Sequence, residues 1–266
     1  MTAGGLSDLA DHVRILDVGI DADRAVVDRL SADPGVALID RLDHQRDSLR
    51  RLVPPPDPAL TDESPRWVYY PWRRTLIHVL GPQSFRRLRL DRNRNMITAA
   101  EQDRLGQLRI GVVGLSVGHV IAHTLAAEGL VGRLLLADYD DLELSNLNRV
   151  PATVFDLGEN KATIAARRIA ELDPYLDVEV LPTGLTDDTL TDFVVGLDIL
   201  IEETDSLDIK ATVRRAARAA RIPVVMATSD RGMVDVERFD LEPDRPVLHG
   251  LLTEADIGHL AGLSSR

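Results

Sequence analysis

A strand, a small-residue turn and a helix follow one another near the middle of the chain. The run R-I-G-V-V-G-L-S-V-G-H begins with an apolar strand, Ile110–Val113, and breaks at Gly114 before the amphipathic helix Val117–Glu128. Such a turn directs backbone N–H groups and the positive end of a helix at a phosphate. A second apolar strand, Leu134–Ala137, ends on Asp138, where a βαβ unit has the acid that binds a ribose hydroxyl. The stretch predicts a nucleotide site, and a purely structural strand-to-helix connection is the alternative.

Apolar runs and amphipathic stretches alternate through the rest of this half of the sequence. Helices are predicted at 161–172, 189–195 and 207–221, and strands at 178–181, 198–201 and 224–227. The alternation predicts an α/β fold with a doubly wound, mostly parallel, Rossmann-like sheet, to which 233–239 adds an antiparallel strand. Ligands bind such sheets beyond the carboxyl ends of the strands, where Gly114, Asp138 and Asp205 are expected to meet.

The N-terminal part is predicted to be a small α/β accessory segment, residues 1–53. The run P-P-P-D-P then begins a predicted linker, residues 54–90, because successive prolines cannot continue a helix. Within the linker a helix is predicted at 73–81, and the aromatic run W-V-Y-Y-P-W either stacks a base or packs at an interface. In the accessory segment, strands are expected at 13–18 and 36–39 and helices at 21–31 and 44–52.

Length and composition exclude several classes of function. A chain of 266 residues that is 44% apolar can bury a full core. It contains no cysteine, which excludes disulfides, cysteine-ligated zinc and a cysteine nucleophile within this sequence. Neither a signal peptide nor a run of about eighteen apolar residues is present, so a cytoplasmic protein without a membrane partner is expected. The formal charge of −12 argues against general binding of nucleic acid.

The residues from Asp138 onward read D-Y-D-D-L-E-L-S-N-L-N-R, which resembles the D-F-D-x-V-x-x-S-N-L-x-R stretch of the ThiF/MoeB/E1-like family of ATP-dependent adenylyltransferases. The resemblance continues at D-L-G-E-N-K, which ends on Lys161, and at E-E-T-D-S, which contains Asp205. Upstream, D-R-N-R-N-M-I is similar to the family's R-Y-N-R-Q-I segment and contains Arg94. The similarity implies that residues 91–266 form an ATP-binding domain of this family.

The resemblance implies a site that activates a carboxylate with ATP and Mg²⁺. Asp205 is the implied magnesium ligand, since Mg²⁺ prefers a carboxylate together with phosphate oxygens. Arg94 resembles an arginine that reaches the phosphates of the neighbouring protomer, which implies a homodimer. The implied catalytic residues are Arg94, Arg149, Lys161 and Asp205, and the implied nucleotide contacts are Gly114, Ser116, Gly118, Asp138, Asp140, Asn146, Arg149 and Lys161.

Two features depart from the family pattern. Ser116 and His119 occupy the second and third glycine places of G-x-G-x-x-G, so side chains stand where the pattern places close packing. After Asp205 the sequence has no C-x-x-C pair, which predicts a C-terminally incomplete domain or a reduced acceptor site. The G-L-S-V-G turn also resembles that of actinobacterial ThiF-like proteins with a nitroreductase-like flavin domain, so a fused domain of that kind is a predicted partner.

Three functions remain open at this point. The leading hypothesis is adenylation of a carboxylate with release of pyrophosphate, the acceptor being a ubiquitin-like sulfur-carrier C-terminus or a small molecule. The alternative is a catalytically reduced nucleotide-binding module that regulates or docks another domain. An NAD-dependent oxidoreductase would use the same βαβ unit, but Arg149, Lys161 and Asp205 suit a triphosphate and a metal better.

Each of these residues also has a purely structural alternative. Asp138 and Asp140 could solvate a loop, Arg149 could pair with Glu143 or Asp156, and Lys161 could be an exposed lysine in a first helical turn. Lys210, the other lysine in the chain, is expected to be a solvated surface charge on a helix.

Overall fold

The structure is a computed structural model that describes residues 12–227 and 232–253, with the side chain of Asp187 left aside. The outer ends of the predicted accessory segment and ATP-binding domain, 1–11 and 254–266, lie outside the described residues. The described chain divides into two compact units, of which the first comprises residues 12–99 together with Asp173–Tyr175. The functional boundaries expected at residues 53 and 90 stay predictions.

The first unit is built on a four-stranded sheet. Its elements are β1 (Arg14–Leu16), α1 (Asp21–Ala32), β2 (Ala37–Asp40), α2 (Leu42–Arg50), α3 (Pro58–Thr61), β3 (Arg66–Tyr70), β4 (Thr75–Val79) and α4 (Pro82–Arg89). The strand order is β1-β3-β4-β2, in which β3 pairs antiparallel with both neighbours and β2 pairs parallel with β4. The succession of strand, helix, strand and helix predicted for the accessory segment is confirmed.

The helix predicted at 73–81 is wrong, because Thr75–Val79 is a strand. It lies between β2 and β3 and pairs with both, so cross-strand pairing decides its conformation over local propensity. The neighbouring aromatic run forms β3, in which Tyr69 and Tyr70 are buried and Trp67 stacks on His78 with ring centroids 4.2 Å apart. These aromatic side chains therefore pack within the first unit.

The second unit contains a six-stranded, doubly wound sheet. The elements from its leading helix onward are α5 (Ala99–Leu105), β5 (Arg109–Val113), α6 (Gly118–Ala127), β6 (Arg133–Ala137), α7 (Lys161–Leu172), β7 (Asp177–Leu181), α8 (Asp187–Val194), β8 (Ile199–Glu202), α9 (Leu207–Ala220), β9 (Val224–Ala227) and β10 (Val234–Glu237). The strand order is β10-β9-β8-β5-β6-β7, and every neighbouring pair is parallel except β10 with β9. The predicted α/β fold and its antiparallel strand are confirmed.

Helices cover both faces of this sheet. Val112 of β5 belongs to one buried cluster with residues of α6 and α7, whereas Val113 belongs to another with residues of α8 and α9. Successive side chains of a strand point to opposite faces, which explains the division. The chain winds from β5 to β6 and β7 and then returns to β8 on the other side of β5, so the topological switch point lies at the carboxyl end of β5. Among the described helices, none combines the length and hydropathy needed to cross a membrane.

A buried ion network lies at the end of β8. Arg214 of α9 is fully buried, contacts Glu202 and donates from Nε to Glu237 Oε2 at 2.6 Å. Lys210 Nζ lies 3.2 Å from both carboxylate oxygens of Glu202, and its side chain is only 19% exposed. The expectation that Lys210 is a solvated surface charge is therefore wrong, since it neutralises a buried carboxylate.

Replacing Arg214 by methionine is expected to lower the free energy of unfolding by about 3–5 kcal/mol, because Glu202 and Glu237 would keep buried charges without their main partner. Urea unfolding at neutral pH measures the change. The matched control is Arg215→Met at an exposed position of the same helix, which should stay within about 0.5 kcal/mol of the parent. Equal stability of Arg214→Met and the parent would contradict a stabilising role for the network.

Candidate functional site

A cleft opens at the carboxyl ends of β5, β6 and β8. It encloses about 460 Å³ and includes apolar wall residues such as Leu185 and Ile209 beside polar ones, a mixture typical of small-molecule sites. The expected meeting of Gly114, Asp138 and Asp205 is confirmed, because all three line it. Five of the residues predicted to contact nucleotide or metal line this cleft, namely Gly114, Ser116, Asp138, Asp140 and Asp205.

Gly114 lets two strand ends approach each other at the floor of the cleft. Its φ is +86°, and a Cβ at this position would lie 2.7 Å from the backbone carbonyl of Glu203. Glycine alone satisfies both the left-handed backbone and the close contact. Gly118 is not among the lining residues. A glycine is needed there for close packing of α6 on β5, since a Cβ at this position would lie 2.6 Å from Val112 Cγ1.

Asp138 joins the end of β6 to the glycine turn. Its Oδ2 accepts from the Leu115 N–H at 2.6 Å, and its Oδ1 accepts from the Asp140 N–H at 2.9 Å. Burial raises the pKa of the Asp138 carboxyl, although both backbone donors and the Lys161 charge act in the opposite direction. Each carboxylate oxygen has a second lone pair, so Asp138 can still accept from a ligand hydroxyl in the cleft.

Asp140 and Lys161 form an ion pair at the edge of the cleft. Lys161 Nζ donates to Asp140 Oδ2 at 2.8 Å, and the Lys161 N–H donates to the Asp140 carbonyl oxygen at 2.9 Å. The Lys161 side chain is 6% exposed, so the alternative of an exposed lysine is wrong. Lys161 is not itself among the lining residues, but its half-exposed partner Asp140 is, which brings the ammonium next to the cleft.

Asn160 organises the loop around both acids, although no role was predicted for it. Its Nδ2 donates to the Asp138 carbonyl oxygen at 2.9 Å and to the Pro182 carbonyl oxygen at 3.1 Å. Its Oδ1 accepts from the Ala162 N–H at 3.0 Å at the start of α7. An asparagine directly before a predicted helix is typical of an N-cap, and this pattern could have identified it.

Asn146 and Arg149 are not among the residues that line the cleft. Asn146 is buried, and its Oδ1 accepts from the Glu143 N–H at 2.9 Å, which stabilises a short 3₁₀ turn. Arg149 is exposed and donates from Nη1 to Asn148 Oδ1 at 3.0 Å, so neither proposed acidic partner pairs with it. The predicted phosphate roles of both residues stay predictions.

Arg94 belongs to the first unit of the chain. Its Nη1 contacts the Val53 carbonyl oxygen and lies 3.1 Å from Asp91 Oδ1, and its side chain is 40% exposed. These contacts hold the guanidinium within its own unit in this structure. Its predicted role at the phosphates of a neighbouring protomer stays a prediction.

Asp205 lines the cleft as an exposed carboxylate. The preceding residue is held by the buried ion network, because Thr204 donates from its N–H and hydroxyl to Glu202 Oε1 at 2.8 and 2.6 Å. In the described part of the chain, no group of three or more His, Cys, Asp or Glu side chains converges on a metal position. The donor set fits a magnesium ion bound by one carboxylate together with nucleotide phosphates and water, and it does not form an all-protein cage.

Two further carboxylates line the cleft, and neither was predicted as a site residue from the sequence. Glu203 is 8% exposed, and its Oε1 accepts from the Ala227 N–H at 2.6 Å. Burial raises the pKa of the Glu203 carboxyl, and the neighbouring charge of Glu202 raises it further. Asp208, in the first turn of α9, accepts from the Ser206 hydroxyl. Glu203 belongs to the E-E-T-D-S motif and Asp208 follows it by two residues. From the sequence, only Asp205 of this motif was predicted to have a role.

The lining of the cleft is strongly acidic. Its charged members are Asp138, Asp140, Glu203, Asp205 and Asp208, and no Lys, Arg or His of the described residues lines it. A triphosphate adds several negative charges, so its binding requires cations that the cleft wall does not itself supply. Metal ions, Lys161 or a second molecule can provide them.

His119 does not crowd the cleft. Its side chain is fully buried at the start of α6, it is not among the lining residues, and neither ring nitrogen has a hydrogen-bond partner. Burial lowers the pKa of His119 to about 4, with smaller contributions from His123 and Arg168, so the imidazole is neutral at neutral pH. The expected steric departure from the family pattern is therefore accommodated inside the fold.

The fold and the cleft define a Rossmann-like α/β protein with a ligand site at the topological switch point. Residues 90–260 match the ThiF family, and the chain belongs to that family. An uncharacterized protein of Mycobacterium tuberculosis is 59% identical over 92% of this chain and 34% of its own length. The sulfur carrier protein ThiS adenylyltransferase of Escherichia coli is 32% identical over 48% of this chain and 51% of its own.

A solved structure is similar to the same part of the chain. Escherichia coli tRNA N6-threonylcarbamoyladenosine dehydratase in complex with ATP matches with a TM-score of 0.52 and 30% identity over 56% of this chain and 62% of that chain. The chain thus spans from about a third to somewhat under two thirds of these three proteins.

Gly114→Ala is expected to destabilise the protein more than Gly158→Ala and to weaken ATP binding. The two glycines have nearly the same φ, +86° and +84°, but a Cβ at Gly158 meets no atom within 4 Å. The loss of stability in Gly158→Ala therefore measures the left-handed backbone strain alone, about 1–2 kcal/mol. In Gly114→Ala the clash with Glu203 is added to the same strain. Urea unfolding and an ATP titration measure both effects. Equal losses of stability would contradict the close approach at the floor of the cleft.

Acidification should destabilise the parent protein more than a His119→Leu variant. The folded state lowers the pKa of His119 from 6.5 to about 4, so the unfolded state binds the proton first as the pH falls. The contribution of neutral His119 to the free energy of unfolding is fully present well above pH 6.5. About 2 kcal/mol of that free energy is lost between pH 7 and pH 5. Urea unfolding of both proteins at the two pH values gives the difference. Parallel pH profiles would show that the fold does not lower the pKa of His119.

Proposed function

We propose that this chain provides the nucleotide site of an enzyme that adenylates a carboxylate. In this reaction a carboxylate oxygen of the acceptor forms a bond to the α-phosphorus of ATP. The bond from that phosphorus to the bridging oxygen breaks, and pyrophosphate leaves with the electron pair. The protein mainly has to orient the two anions and neutralise charge.

The observation that supports this function most strongly is the placement of three motif residues around one cleft. Gly114, Asp138 and Asp205 follow three different strands, and all line the same cavity at the switch point. In the proposed complex Asp138 accepts from the ribose hydroxyls and the turn at Gly114 lies against the nucleotide. Asp205 would hold a magnesium ion that neutralises phosphate charge, and Lys161 would move from Asp140 to the phosphates.

The acidic lining supports a role for a second copy of the chain. A cleft lined by five carboxylates gains from an external cation when a triphosphate enters. We infer that Arg94 of a neighbouring protomer supplies it and that the active form is a homodimer. The partly exposed guanidinium of Arg94 is available for such a contact once it leaves Asp91.

The acceptor in this proposal is a sulfur-carrier C-terminus or a small carboxylic acid. The first option is supported by the similarity to the ThiS adenylyltransferase, and the second by the size of the cleft, about 460 Å³, which is typical of small-molecule sites. The sequence predicts an attached nitroreductase-like domain. A longer protein of this kind is consistent with the mycobacterial relative, because this chain matches only 34% of the length of that relative. The ion pair between Lys161 and Asp140 favours the alternative of a regulatory nucleotide-binding module, because it engages the nearest cation.

Asp205→Asn is expected to abolish magnesium-dependent exchange of pyrophosphate into ATP while changing the dissociation constant of ATP by less than about threefold. The nucleoside contacts remain, but the carboxylate that would hold the metal is lost. Exchange is measured on the purified chain with whole cell extract, not desalted, as the source of both protein and small-molecule acceptors, and the extract without the chain gives the background. The control is Asp188→Asn on the exposed surface of α8, which should retain full exchange. Exchange that survives in Asp205→Asn would contradict the metal assignment.

Lys161→Ala and Arg149→Ala are each expected to weaken ATP binding by about tenfold, which is the loss of one charged contact of about 1.4 kcal/mol. Arg149→Ala should keep the stability of the parent, since Arg149 lies on the surface, whereas Lys161→Ala also removes a buried side chain, so its unfolding is measured beside its ATP affinity. Calorimetric titration with ATP measures the affinity of each variant and of the parent. An unaltered affinity in both variants would contradict the proposed phosphate site.

A further inference from the structure

Glu203 lies on the side of Gly114 that faces away from Asp138. Asp138 follows β6 and Glu203 follows β8, with β5 between these strands. Neighbouring strands are about 4.8 Å apart, so the two backbones are separated by about 10 Å. The Glu203 side chain continues away from Asp138 to β9, where it accepts from the Ala227 N–H at 2.6 Å. Glu203 and Asp138, the proposed acceptor for the ribose hydroxyls, therefore lie on opposite sides of the glycine turn.

The neighbouring cations Lys210 and Arg214 act on Glu203 only from a distance, because their direct ion pairs are made with other carboxylates. Lys210 and Arg214 both contact Glu202, and Arg214 also pairs with Glu237. Within residues 12–227 and 232–253, no Lys, Arg or His forms an ion pair with Glu203, and its Oε2 has no protein partner. Among the described residues, nothing therefore prevents the second oxygen of this nine-tenths buried carboxylate from accepting from a ligand in the cleft.

The position of Glu203 opposes the reaction unless the acceptor compensates for it. A triphosphate and an acceptor carboxylate are both anionic, and a buried carboxylate beside them repels both at low dielectric. The lining carboxylates do not converge on one metal position among the described residues, so a single metal ion does not neutralise them all. A positive group on the acceptor itself removes the conflict, since it pairs with the free oxygen and brings the reacting carboxylate in with it.

We propose that Glu203 is a specificity-determining residue that pairs with a cationic nitrogen of the acceptor. The acceptor is then an amino acid, or a peptide with a basic group close to its C-terminal carboxylate. This inference rests on the adenylation function proposed above. The cationic nitrogen keeps its protons throughout, and the covalent change stays at the carboxylate oxygen and the α-phosphorus.

The test uses two matched pools of acceptors. One contains the free amino acids and short peptides with lysine in the last three positions, and the other contains the same compounds after acetylation of every amine. The chain is incubated with each pool, ATP, Mg²⁺ and hydroxylamine, which converts acyl-adenylates into hydroxamates that mass spectrometry identifies. The parent protein is expected to prefer the cationic pool by at least about tenfold, the loss of one charged pair. The individual hydroxamates show whether amino acids or peptides are used.

Glu203→Gln separates a specificity role from a structural one. The glutamine oxygen can still accept from the Ala227 N–H, so the strand contact remains while the charge is removed. The variant is expected to activate both pools within about twofold of each other, and its ATP titration reports that the nucleotide site is intact. Glu203→Lys should favour acetylated compounds over cationic ones, as like charges then meet. Asp188→Asn, on the exposed surface, should keep the preference of the parent.

Three results would overturn the assignment of Glu203. They are equal use of both pools by the parent, an unchanged preference in Glu203→Gln, and no hydroxamate from either pool when extract supports exchange of pyrophosphate into ATP. The last result would leave adenylation itself standing. Absence of exchange with extract would instead contradict the proposed function, and with it the specificity role.

Discussion

The close approach of Gly114 to the backbone of Glu203 is the constraint on which the rest of the site depends. It brings the ends of β5 and β8 together without an intervening side chain, and the Leu115 N–H then reaches Asp138 at the end of β6. Three segments that are distant in sequence are thereby fixed around one cleft. The glycine is needed both for its left-handed backbone and for the absent Cβ, so no other residue type reproduces this junction.

The distribution of charge around the cleft is its second defining feature. The partly buried Lys210 and the fully buried Arg214 neutralise Glu202 at the end of β8, and Glu202 in turn holds Thr204 next to Asp205. None of this positive charge lines the cleft in the described chain, whereas five carboxylates do. A site of this kind binds an anionic substrate more tightly when cations accompany it. The proposed metal ion, second protomer and cationic acceptor all answer that one requirement.

Much of the second unit could be predicted from the sequence because its periodicity is strong. Apolar strands bounded by small residues and amphipathic helices alternate regularly, and a parallel sheet then places Gly114, Asp138 and Asp205 at one edge. The helix predicted at 73–81 failed because pairing between two strands decides the conformation of Thr75–Val79, and pairing is not visible in a local pattern.

The charged interior was the least predictable part. A lysine on an amphipathic helix is usually solvated, and only the three-dimensional position of the buried Glu202 makes Lys210 its partner. The place of Glu203 in the cleft could not be predicted from the E-E-T-D-S motif either, since the direction of its side chain depends on the pairing of β8 with β9. Asn160 is the exception, because its place before α7 already indicated a cap.

Competition between ATP and NAD for the cleft tests the central claim most directly. The two ligands share an adenosine, but only ATP offers a triphosphate to Asp205 with its magnesium ion and to Lys161. Equilibrium titration of the full chain with each nucleotide, with and without Mg²⁺, measures the preference. The account predicts that ATP binds more tightly than NAD by at least about tenfold and that Mg²⁺ increases the difference. Binding of NAD that equals or exceeds that of ATP, and that Mg²⁺ does not change, would contradict it.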